Sequence, residues 1–417
     1  MILYWQYIST KLKNFRIYIK SKLQDTNAIR LAVFEGVILV LCICFVLIII
    51  YHAPKMHTWK TNIENNRIMD KIKRYNSMQI IYNTDIYGPV DSDTVIIVIH
   101  VRDKLNYLQY LVDSLSRSRN IERSLLIFSH DYYNENINKF VHKTNFARYI
   151  QIFYPYSIQT HPNRFPGHEV KECIKLTTPN ENHKSLCHRK TLLIQEKHRY
   201  WWTINTVFEG LQVSKNISNL VLFLEEDQIV IRDFLYVLLR MNFKRKTLCP
   251  NCNILSLGTY NSSFKPPDTS TISISPFSAS KHNMGMAFNK TTWHQIRNCA
   301  REFCTYNDYG WDHSLQYLSL NCAQLNVMMI KGPRIYQLEK CNNTNINHSK
   351  SCNFDTITKI QKDIKRKRRN LFPIRLQVVN EVVANNVIKQ SGFWNDDRDI
   401  KMCMALTSGA IVLKKSN

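Results

Sequence analysis

Short apolar runs, separated by helical patterns, characterise the chain after residue 90. Residues 94–101 (TVIIVIHV) form a continuous β-branched run, which is typical of a strand buried on both faces of a sheet. Three more short apolar runs follow, over residues 124–128, 150–154 and 220–224. Between them, residues 107–115 and 192–211 carry apolar side chains at helical spacing. This alternation predicts an α/β fold with a mixed, mostly parallel sheet, in which ligands bind beyond the carboxyl ends of the strands.

A different apolar pattern precedes these strands. Residues 31–51 contain a single charge, Glu35, and a helix of that length spans roughly 30 Å, the thickness of a bilayer core. Because residues 1–30 are strongly basic and no small-residue cleavage site follows, we interpret the segment as an uncleaved signal anchor rather than a buried core helix. The expected organisation is a cytoplasmic tail, an anchor, a stem over residues 52–90 and a luminal domain over residues 91–417.

Composition and charge narrow the class of protein. With 44% hydrophobic and 21% charged residues, the 417-residue chain is of ordinary globular composition, which excludes wholesale disorder. The net charge is +24, and residues 365–369 (KRKRR) would suggest nucleic-acid binding in a nuclear protein. Behind a signal anchor that function is excluded. We interpret the run as a solvated basic face, and no nucleic-acid partner is expected.

The cysteines also favour the luminal location that the signal anchor predicts. Two of the twelve, Cys42 and Cys44, lie in the anchor, and the even number beyond it favours up to five disulfides in an oxidising lumen. Ten cysteines allow hundreds of pairings, so the connectivity stays open at this point. Glycosylation sequons agree weakly with a luminal address, at Asn216, Asn261, Asn289, Asn342 and Asn347.

Three consecutive acids follow the fourth apolar run. Glu225, Glu226 and Asp227 end the sequence FLEED, and three adjacent carboxylates repel one another unless a cation lies nearby. Carboxylates at a strand end can hold Mn²⁺ or Mg²⁺, and such a metal can bridge the phosphates of a nucleotide sugar. The alternative is an exposed acidic turn, or an N-cap for a helix predicted over residues 230–241.

Two further acids lie among aromatic residues in residues 303–312 (FCTYNDYGWD). Asp312, beside Trp311, has the setting of a general base that deprotonates an acceptor hydroxyl. The alternative, which the residues alone favour, is that Asp312 caps the helix predicted over residues 313–320. Trp201 and Trp202 are interpreted in a similar way, as core residues more readily than as a sugar-stacking surface.

The chain resembles the N-acetylglucosaminyltransferase II family in seven stretches that follow one another in the family's order. They are HVRDKLNYLQYLVDSL, LLIFSHD, FYPYSIQ, FLEED, CPNCNILSLGTY, HNMGMAF and FCTYNDYGWDHSLQYLSLNC. The resemblance covers about residues 93–403. It implies a type II Golgi membrane protein with a GT-A nucleotide-sugar-binding fold, a UDP-GlcNAc donor, Mn²⁺, and inverting transfer of N-acetylglucosamine to the 2-position of the α-1,6-arm mannose of an N-glycan acceptor.

The same resemblance implies roles for individual residues. Asp312 is the implied catalytic base, Asp227 the metal-binding acid, and Trp311 and Lys265 acceptor-binding residues. The implied donor-binding residues are His100, Val101, Arg102, Asp103, Lys104, Asp131, Gln195, Glu196, Lys197, His198, Arg199, Glu225 and Glu226. The implied disulfides pair Cys173 with Cys187, Cys249 with Cys252, Cys299 with Cys322, Cys304 with Cys403, and Cys341 with Cys352.

One departure from the family pattern bears on the chemistry. Gln337 lies where the family has a metal-ligating histidine, and an amide oxygen is a weaker ligand for Mn²⁺ than imidazole. Two readings of the chain follow: an active transferase that uses Gln337, and a membrane-tethered glycan-binding homologue that has lost turnover. A related transferase for the α-1,3 arm is disfavoured by the cysteine pattern and the aromatic block. Self-association through the stem is compatible with the sequence.

Overall fold

A computed structural model describes most of the chain. The described residues are 26–167, 182–215, 220–260, 268–338 and 394–409, with parts of 10–18 and 357–380. They fall into two units, Met1–Arg67 and Ile68–Asn417. Helix α1 (Thr26–Met78) begins in the first unit and ends in the second.

The predicted anchor, residues 31–51, lies within α1. Of its side chains, those of residues 33–44 are described, and the remainder lie outside the described set. Over the part of the chain that the structure describes, no helix combines the length and apolar character needed to cross a membrane.

The second unit is built on a nine-stranded sheet. Its order is β11-β7-β9-β6-β8-β4-β1-β2-β3, and a separate two-stranded sheet pairs β10 with β5. Five of the eight pairings in the large sheet are parallel and three are antiparallel, so the mixed, mostly parallel α/β sheet predicted from the sequence is present. The strands are β1 Ile96–Val101, β2 Leu125–His130, β3 Arg148–Phe153, β4 Val221–Glu225, β5 Gln228–Val230, β6 Cys252–Ser256, β7 Thr271–Pro276, β8 Met286–Phe288, β9 Asn326–Ile330, β10 Ile335–Gln337 and β11 Gln377–Asn380.

Helices cover both faces of this sheet. Alternate residues of the central strands therefore enter two separate apolar clusters, with Ile96 and Val98 in one and Ile97 and Ile99 in the other. After α1 the helices are α2 Thr84–Tyr87, α3 Leu105–Ser116, α4 Glu135–Val141, α5 Asn182–Asn205, α6 Phe234–Leu248, α7 Ala279–His282, α8 Lys290–Asn298, α9 Ala300–Thr305, α10 Trp311–Asn321 and α11 Asp397–Ser408.

Two expectations about local structure differ from the fold. The helix predicted over residues 230–241 is α6, which begins only at Phe234, because Gln228–Val230 is extended and pairs with β10. Glu225–Asp227 therefore do not cap it. Likewise α10 begins at Trp311 after an extended Gly310, which places Asp312 inside the first turn rather than at the cap.

The segment expected to be a stem is also partly structural. Residues 68–90 belong to the second unit, where Ile72 is only 2% exposed and Tyr82 pairs with Tyr149 at the outer edge of β3. Composition gave no hint of this, because the segment is polar overall and its few apolar side chains, such as Ile72 and Ile81, follow no sustained period.

Three of the five implied disulfides are present, Cys249–Cys252, Cys299–Cys322 and Cys304–Cys403. The pairs 173–187 and 341–352 involve positions outside the described residues. Lys265 and the sequons at Asn216, Asn261, Asn342 and Asn347 also lie outside them. The side chain of Asn289 accepts a hydrogen bond from the Thr292 N–H and so caps α8.

Candidate functional site

The carboxyl ends of β1, β2 and β4 meet at one edge of the sheet. The chain order of the parallel strands, 3-2-1-4, reverses between β1 and β4, and in open α/β sheets such a reversal opens a crevice for ligands. His100 of β1 lies opposite Glu225 of β4 and Ser129 of β2. The residues that follow each strand therefore converge there.

Arg102 lies among three carboxylates at this edge. Its main-chain N–H donates to Glu226 Oε2 at 2.8 Å, its guanidinium donates to Glu196 Oε1, and it lies 3.8 Å from Glu225 Oε2. Burial favours loss of the proton, but Glu225 and Glu196 outweigh it and raise the pKa of Arg102. Arg102 thus links the end of β1 to the acids at the end of β4 through a hydrogen bond and an ion pair.

Arg199 supplies a second cation from α5. Its side chain is fully buried, with Nε 3.0 Å from Asp131 Oδ1 and a terminal nitrogen 4.0 Å from Glu225 Oε2. Neither pairing has the geometry of a hydrogen bond, and the three guanidinium nitrogens have no hydrogen-bond partner among the described residues. A buried guanidinium with unused donors is suited to an anionic ligand.

The carboxylates at this edge outnumber the arginines. Burial raises the pKa of Asp131 to about 6 and the pKa values of Glu225 and Glu226 to about 7, against the opposing effect of the arginines and, at Glu226, of the Arg102 N–H. Protonation and cation binding are alternative ways to relieve such crowding. The edge therefore has the electrostatics of a site that accepts a cation together with an anionic ligand.

Asp227 and Gln337 lie together, as the resemblance implied. β10 pairs with β5, which places Gln337 opposite Gln228, and the Gln337 amide Nε2 lies 3.4 Å from Asp227 Oδ2. The main-chain carbonyl of Asp227 accepts from the Leu338 N–H at 2.7 Å, which fixes the loop. Rotation of the amide would present its oxygen to an ion bound at the Asp227 carboxylate, so the donor set of one carboxylate and one amide suits a hard divalent cation.

Asp312 lies at the start of α10 with its carboxylate oriented by two donors. Oδ2 accepts from Asn283 Nδ2 at 2.8 Å, and Oδ1 accepts from the His313 N–H at 2.9 Å. The neighbouring Trp311 ring stacks on Tyr200, with centroids 3.7 Å apart and planes inclined by 15°. One carboxylate and an aromatic pair thus line the same part of the site.

Tyr260 follows β6, and its phenol is influenced by acids from two parts of the site. Its hydroxyl interacts with Asn283, and burial together with the charges of Asp312, Asp227 and Glu225 raises the pKa of Tyr260. The acids at the end of β4 and in α10 therefore lie within electrostatic range of one phenol.

Lys197 lies behind the site rather than in it. The side chain is fully buried, and Nζ donates to the carbonyl oxygens of Tyr306 and Asp308 at 3.1 and 2.9 Å. It also lies 4.0 Å from the centroid of the Trp394 ring. Lys197 therefore holds the loop that leads to Asp312, and its amine is not available to bind the sugar donor.

His198 likewise faces the interior. Its Nε2 lies 3.0 Å from the carbonyl oxygen of Asp399, in α11, and its ring packs edge-on against Trp394. Gln195 accepts from the Ile158 N–H at 2.7 Å and stabilises a loop. Of the implied group 195–199, only Glu196 and Arg199 contact charged residues of the strand edge.

The remaining implied donor-binding residues occupy β1 and its exit. His100 is buried between Phe223 and Tyr200, and Val101 uses its carbonyl to accept from the Asp131 N–H at 2.9 Å. Asp103 and Lys104 are exposed at the start of α3, open to solvent beside the crevice.

Sequence reasoning assigned no role to Tyr200, Tyr260 and Asn283. Tyr260 ends the stretch LSLGTY after β6, and Asn283 precedes β8 in HNMGMAF. Rules about strand ends point to Tyr260, whereas Asn283 follows a single-turn helix that no periodicity reveals. The one cluster of three potential metal ligands among the described residues, Cys299, Glu302 and Cys322, is not a metal site, because its cysteines form a disulfide.

Comparison with known proteins finds one matching family model, sequence relatives and distant solved structures. Residues 69–403 match the family model for N-acetylglucosaminyltransferase II. The human α-1,6-mannosyl-glycoprotein 2-β-N-acetylglucosaminyltransferase is 31% identical over 356 residues, which cover 81% of this chain and 78% of that protein. The Arabidopsis thaliana protein of the same name is 28% identical over 77% of this chain and 76% of its own length. Among solved structures, S. aureus TarS 1-349 in complex with UDP-GlcNAc gives a TM-score of 0.33 at 9% identity, over 60% of each chain.

Proposed function

Because the chain belongs to the N-acetylglucosaminyltransferase II family, we infer that it is a glycosyltransferase of N-glycan branching, which adds N-acetylglucosamine in β-1,2 linkage to the α-1,6-arm mannose. We propose UDP-GlcNAc as the donor and Mn²⁺ as the metal. The Asp312 carboxylate, held by Asn283 and the His313 N–H beside the stacked Trp311 and Tyr200 rings, carries the proposal, because an inverting transfer needs an oriented base next to the sugar.

The proposed fold type is GT-A. The parallel strands 3-2-1-4 with acids at the end of β4 support a nucleotide site at the strand reversal. Arg102 and Arg199 carry the positive charge at this edge and are proposed to face the diphosphate, while Asp131 and Glu196 hold the two guanidinium groups in place.

The metal would be held by Asp227 and Gln337. When bound, it would neutralise charge on the departing diphosphate. The chain's own contribution there is to hold the main chain of Asp227 through the Leu338 N–H bond to its carbonyl, and to hold the Gln337 amide beside the Asp227 carboxylate. The excess of carboxylates at this edge supports cation binding.

Asp312 is the proposed general base. Its carboxylate takes the proton of the acceptor 2-hydroxyl as that oxygen forms a bond to the anomeric carbon, and the bond from that carbon to the diphosphate breaks on the opposite face. Asn283 and the His313 N–H hold the carboxylate in one orientation, so little reorientation is needed during transfer.

The test is transfer by the purified full-length chain in detergent, from UDP-GlcNAc to a biantennary acceptor with an unsubstituted α-1,6-arm mannose. We expect Asp312→Asn to lower kcat by about 10²–10⁴-fold while UDP binding is retained. Asp113→Asn, an exposed carboxylate on α3 that pairs with Arg117, is the matched control and should transfer like wild type. Full activity in Asp312→Asn would remove this residue from the mechanism.

A second candidate function, a glycan-binding homologue without turnover, is favoured by one observation. The Gln337 amide N–H points at Asp227 Oδ2 and so engages a lone pair that a metal would use. Binding of the acceptor without transfer, at any Mn²⁺ concentration, is the outcome that this function requires.

The proposed location is the Golgi membrane, with a single-pass type II anchor over residues 31–51 and the catalytic part in the lumen. The apolar segment and its basic N-terminal flank support this. Alkaline carbonate extraction and protease protection of microsomes test it, since a luminal peripheral protein would be released by carbonate.

A further inference from the structure

A cavity of about 290 Å³ lies at the outer edge of the sheet, on β3. Its walls come from the last turns of α1, from the segment that follows α1, and from the β2–α4 loop. The lining residues are Lys71, Arg74, Tyr75, Met78, Ile80, Tyr82, Tyr133 and Gln151. None of them belongs to the candidate transfer site described above.

The end of α1 and the segment after it hold β3 at two points and leave a gap between them. Tyr82 exchanges main-chain hydrogen bonds with Tyr149, and the Asn76 side chain accepts from the Phe153 N–H and donates to its carbonyl. Since main-chain groups of alternate residues point to the same edge of a strand, those of Gln151 also face this edge. Within the described ranges, no main-chain or side-chain group bonds to them.

Gln151 contributes a second unused group at the base of the cavity. Its side chain is 2% exposed, and its amide nitrogen lies 3.4 Å from Nε2 of His142. Its Oε1 is buried without a hydrogen-bond partner among the described residues. A buried amide oxygen without a donor destabilises the fold unless a ligand or water donates to it.

Three aromatic rings surround this base. Tyr75 and Tyr133 flank Phe153, with ring centroids 4.8 and 5.7 Å from it, and Tyr82 stacks on Tyr149 at 4.8 Å. Flat aromatic faces suit the C–H face of a pyranose ring. The hydroxyls of the pyranose can donate to an amide oxygen that has no partner, such as Gln151 Oε1. The volume is at the lower limit for ligand pockets, so it suits one ring rather than a nucleotide sugar.

The rim of the cavity is cationic. Lys71 lies 3.5 Å from Glu135, which offsets its charge, whereas Arg74 has no carboxylate partner among the described residues. Arg74 Nε lies 3.4 Å from the Met78 sulfur, which is not charged. One uncompensated guanidinium therefore faces the cavity, and it favours a ligand with a carboxylate or phosphate.

We propose that this cavity binds a single sugar ring that carries an acidic group. The ring lies between Tyr75, Tyr82 and Tyr133, one ring hydroxyl donates to Gln151 Oε1, and the acidic substituent faces Arg74. The site is separate from the candidate transfer site, although Tyr133 follows Asp131 by only two residues in the β2–α4 loop.

The test is direct binding of methyl β-D-glucuronide and methyl β-D-glucoside to the full-length chain in detergent, by calorimetry and ligand-observed NMR without donor, acceptor or metal. The two probes differ only in the carboxylate at carbon 6. We expect the glucuronide to bind at least about tenfold more tightly. Arg74→Gln should bring the two affinities together, because the residue is exposed and its loss leaves the ring contacts intact. Arg301→Gln, an exposed arginine on α9, is the control and should preserve the ratio.

Gln151→Leu tests the base of the cavity and should weaken both probes by about tenfold. The proposal is overturned if neither probe binds up to about 50 mM, if both bind equally to wild type, or if UDP displaces the glucuronide, which would assign the binding to the transfer site. The binding test measures no transfer, so its failure would not contradict the proposed function. The cavity can likewise be tested if the protein proves to be an inactive transferase.

Discussion

At the residue scale, the proposed metal site differs from the family pattern in one amide, that of Gln337. Gln337 lies 3.4 Å from Asp227 Oδ2, in the position where the resemblance implies a histidine. We predict that Gln337→His lowers the Mn²⁺ concentration for half-maximal transfer by about tenfold, because imidazole is the better ligand. Metal titration of activity and of intrinsic fluorescence measures this. Gln109→His, which adds an imidazole on exposed α3, should change neither curve, and an unchanged curve for Gln337→His would contradict metal ligation there.

A buried lysine makes the stability of the fold depend on pH. Burial lowers the pKa of Lys197 to about 7, although Asp308 and Asp399 act in the opposite direction. Between about pH 7 and its ordinary pKa of 10.5, the unfolded chain binds one more proton than the native chain, so the free energy of unfolding rises with pH by at most about 1.4 kcal/mol per pH unit.

Lys197→Met removes this contribution. We therefore predict that the unfolding free energy of wild type, minus that of the variant, increases between pH 7 and pH 9. Urea unfolding followed by tryptophan fluorescence at each pH measures the difference. Lys139→Met, at an exposed lysine of α4, should give a constant difference, and a constant difference for Lys197→Met would show that the native amine stays charged.

At the scale of elements, the Cys304–Cys403 disulfide joins α9 to α11 across 99 residues. Trp394 reinforces it by donating from its indole N–H to the Cys304 carbonyl at 2.8 Å. Both contacts support the loop that precedes Asp312, because α9 ends at Thr305.

Loss of the Cys304–Cys403 disulfide should destabilise the fold. We predict that Cys304→Ala with Cys403→Ala lowers the free energy of unfolding by about 4 kcal/mol, because the crosslink closes a long loop in the unfolded chain. Cys249→Ala with Cys252→Ala, which opens a link of separation 3, should lower it by roughly 2 kcal/mol. Chemical denaturation of both variants provides the comparison, and equal losses would contradict the loop-length argument.

Sequence patterns located the elements that are buried and regular. β1 and β4 are continuous apolar runs, so their positions and the acids after β4 could be predicted. β5 and β10 could not, because each has three residues and is stabilised by a partner more than a hundred residues away. Helix periodicity also gave no sign that Lys197 turns inward while Arg199 reaches the strand edge, since both lie on one amphipathic segment with charges on more than one side.

At the scale of the whole molecule, the second unit needs its first residues. Asn76, Tyr82 and Asn83 cover the outer edge of β3 and the turn before it, and Asn83 Nδ2 donates to the carbonyls of Thr144 and Ala147 at 2.9 and 2.8 Å. An uncovered edge strand pairs with other chains.

Two deletions separate the roles of these segments. We predict that removal of residues 1–67 preserves folding and transfer in vitro, whereas removal of residues 1–83 causes aggregation through β3. Size-exclusion chromatography with light scattering, together with the transfer assay, compares them. A monomeric and active product of the longer deletion would show that the edge of β3 needs no cover.

The contact of α1 with β3 also depends on Asn76, an asparagine that can deamidate. Asn76 is followed by Ser77, a small residue beside which asparagine amides hydrolyse comparatively readily, and its Nδ2 donates to the Phe153 carbonyl at 2.7 Å. Deamidation to aspartate would exchange that donor for an oxygen and place two acceptors face to face. Deamidation of the stored protein at this residue would therefore be detected as a mass increase at residue 76, accompanied by a weaker contact between α1 and β3.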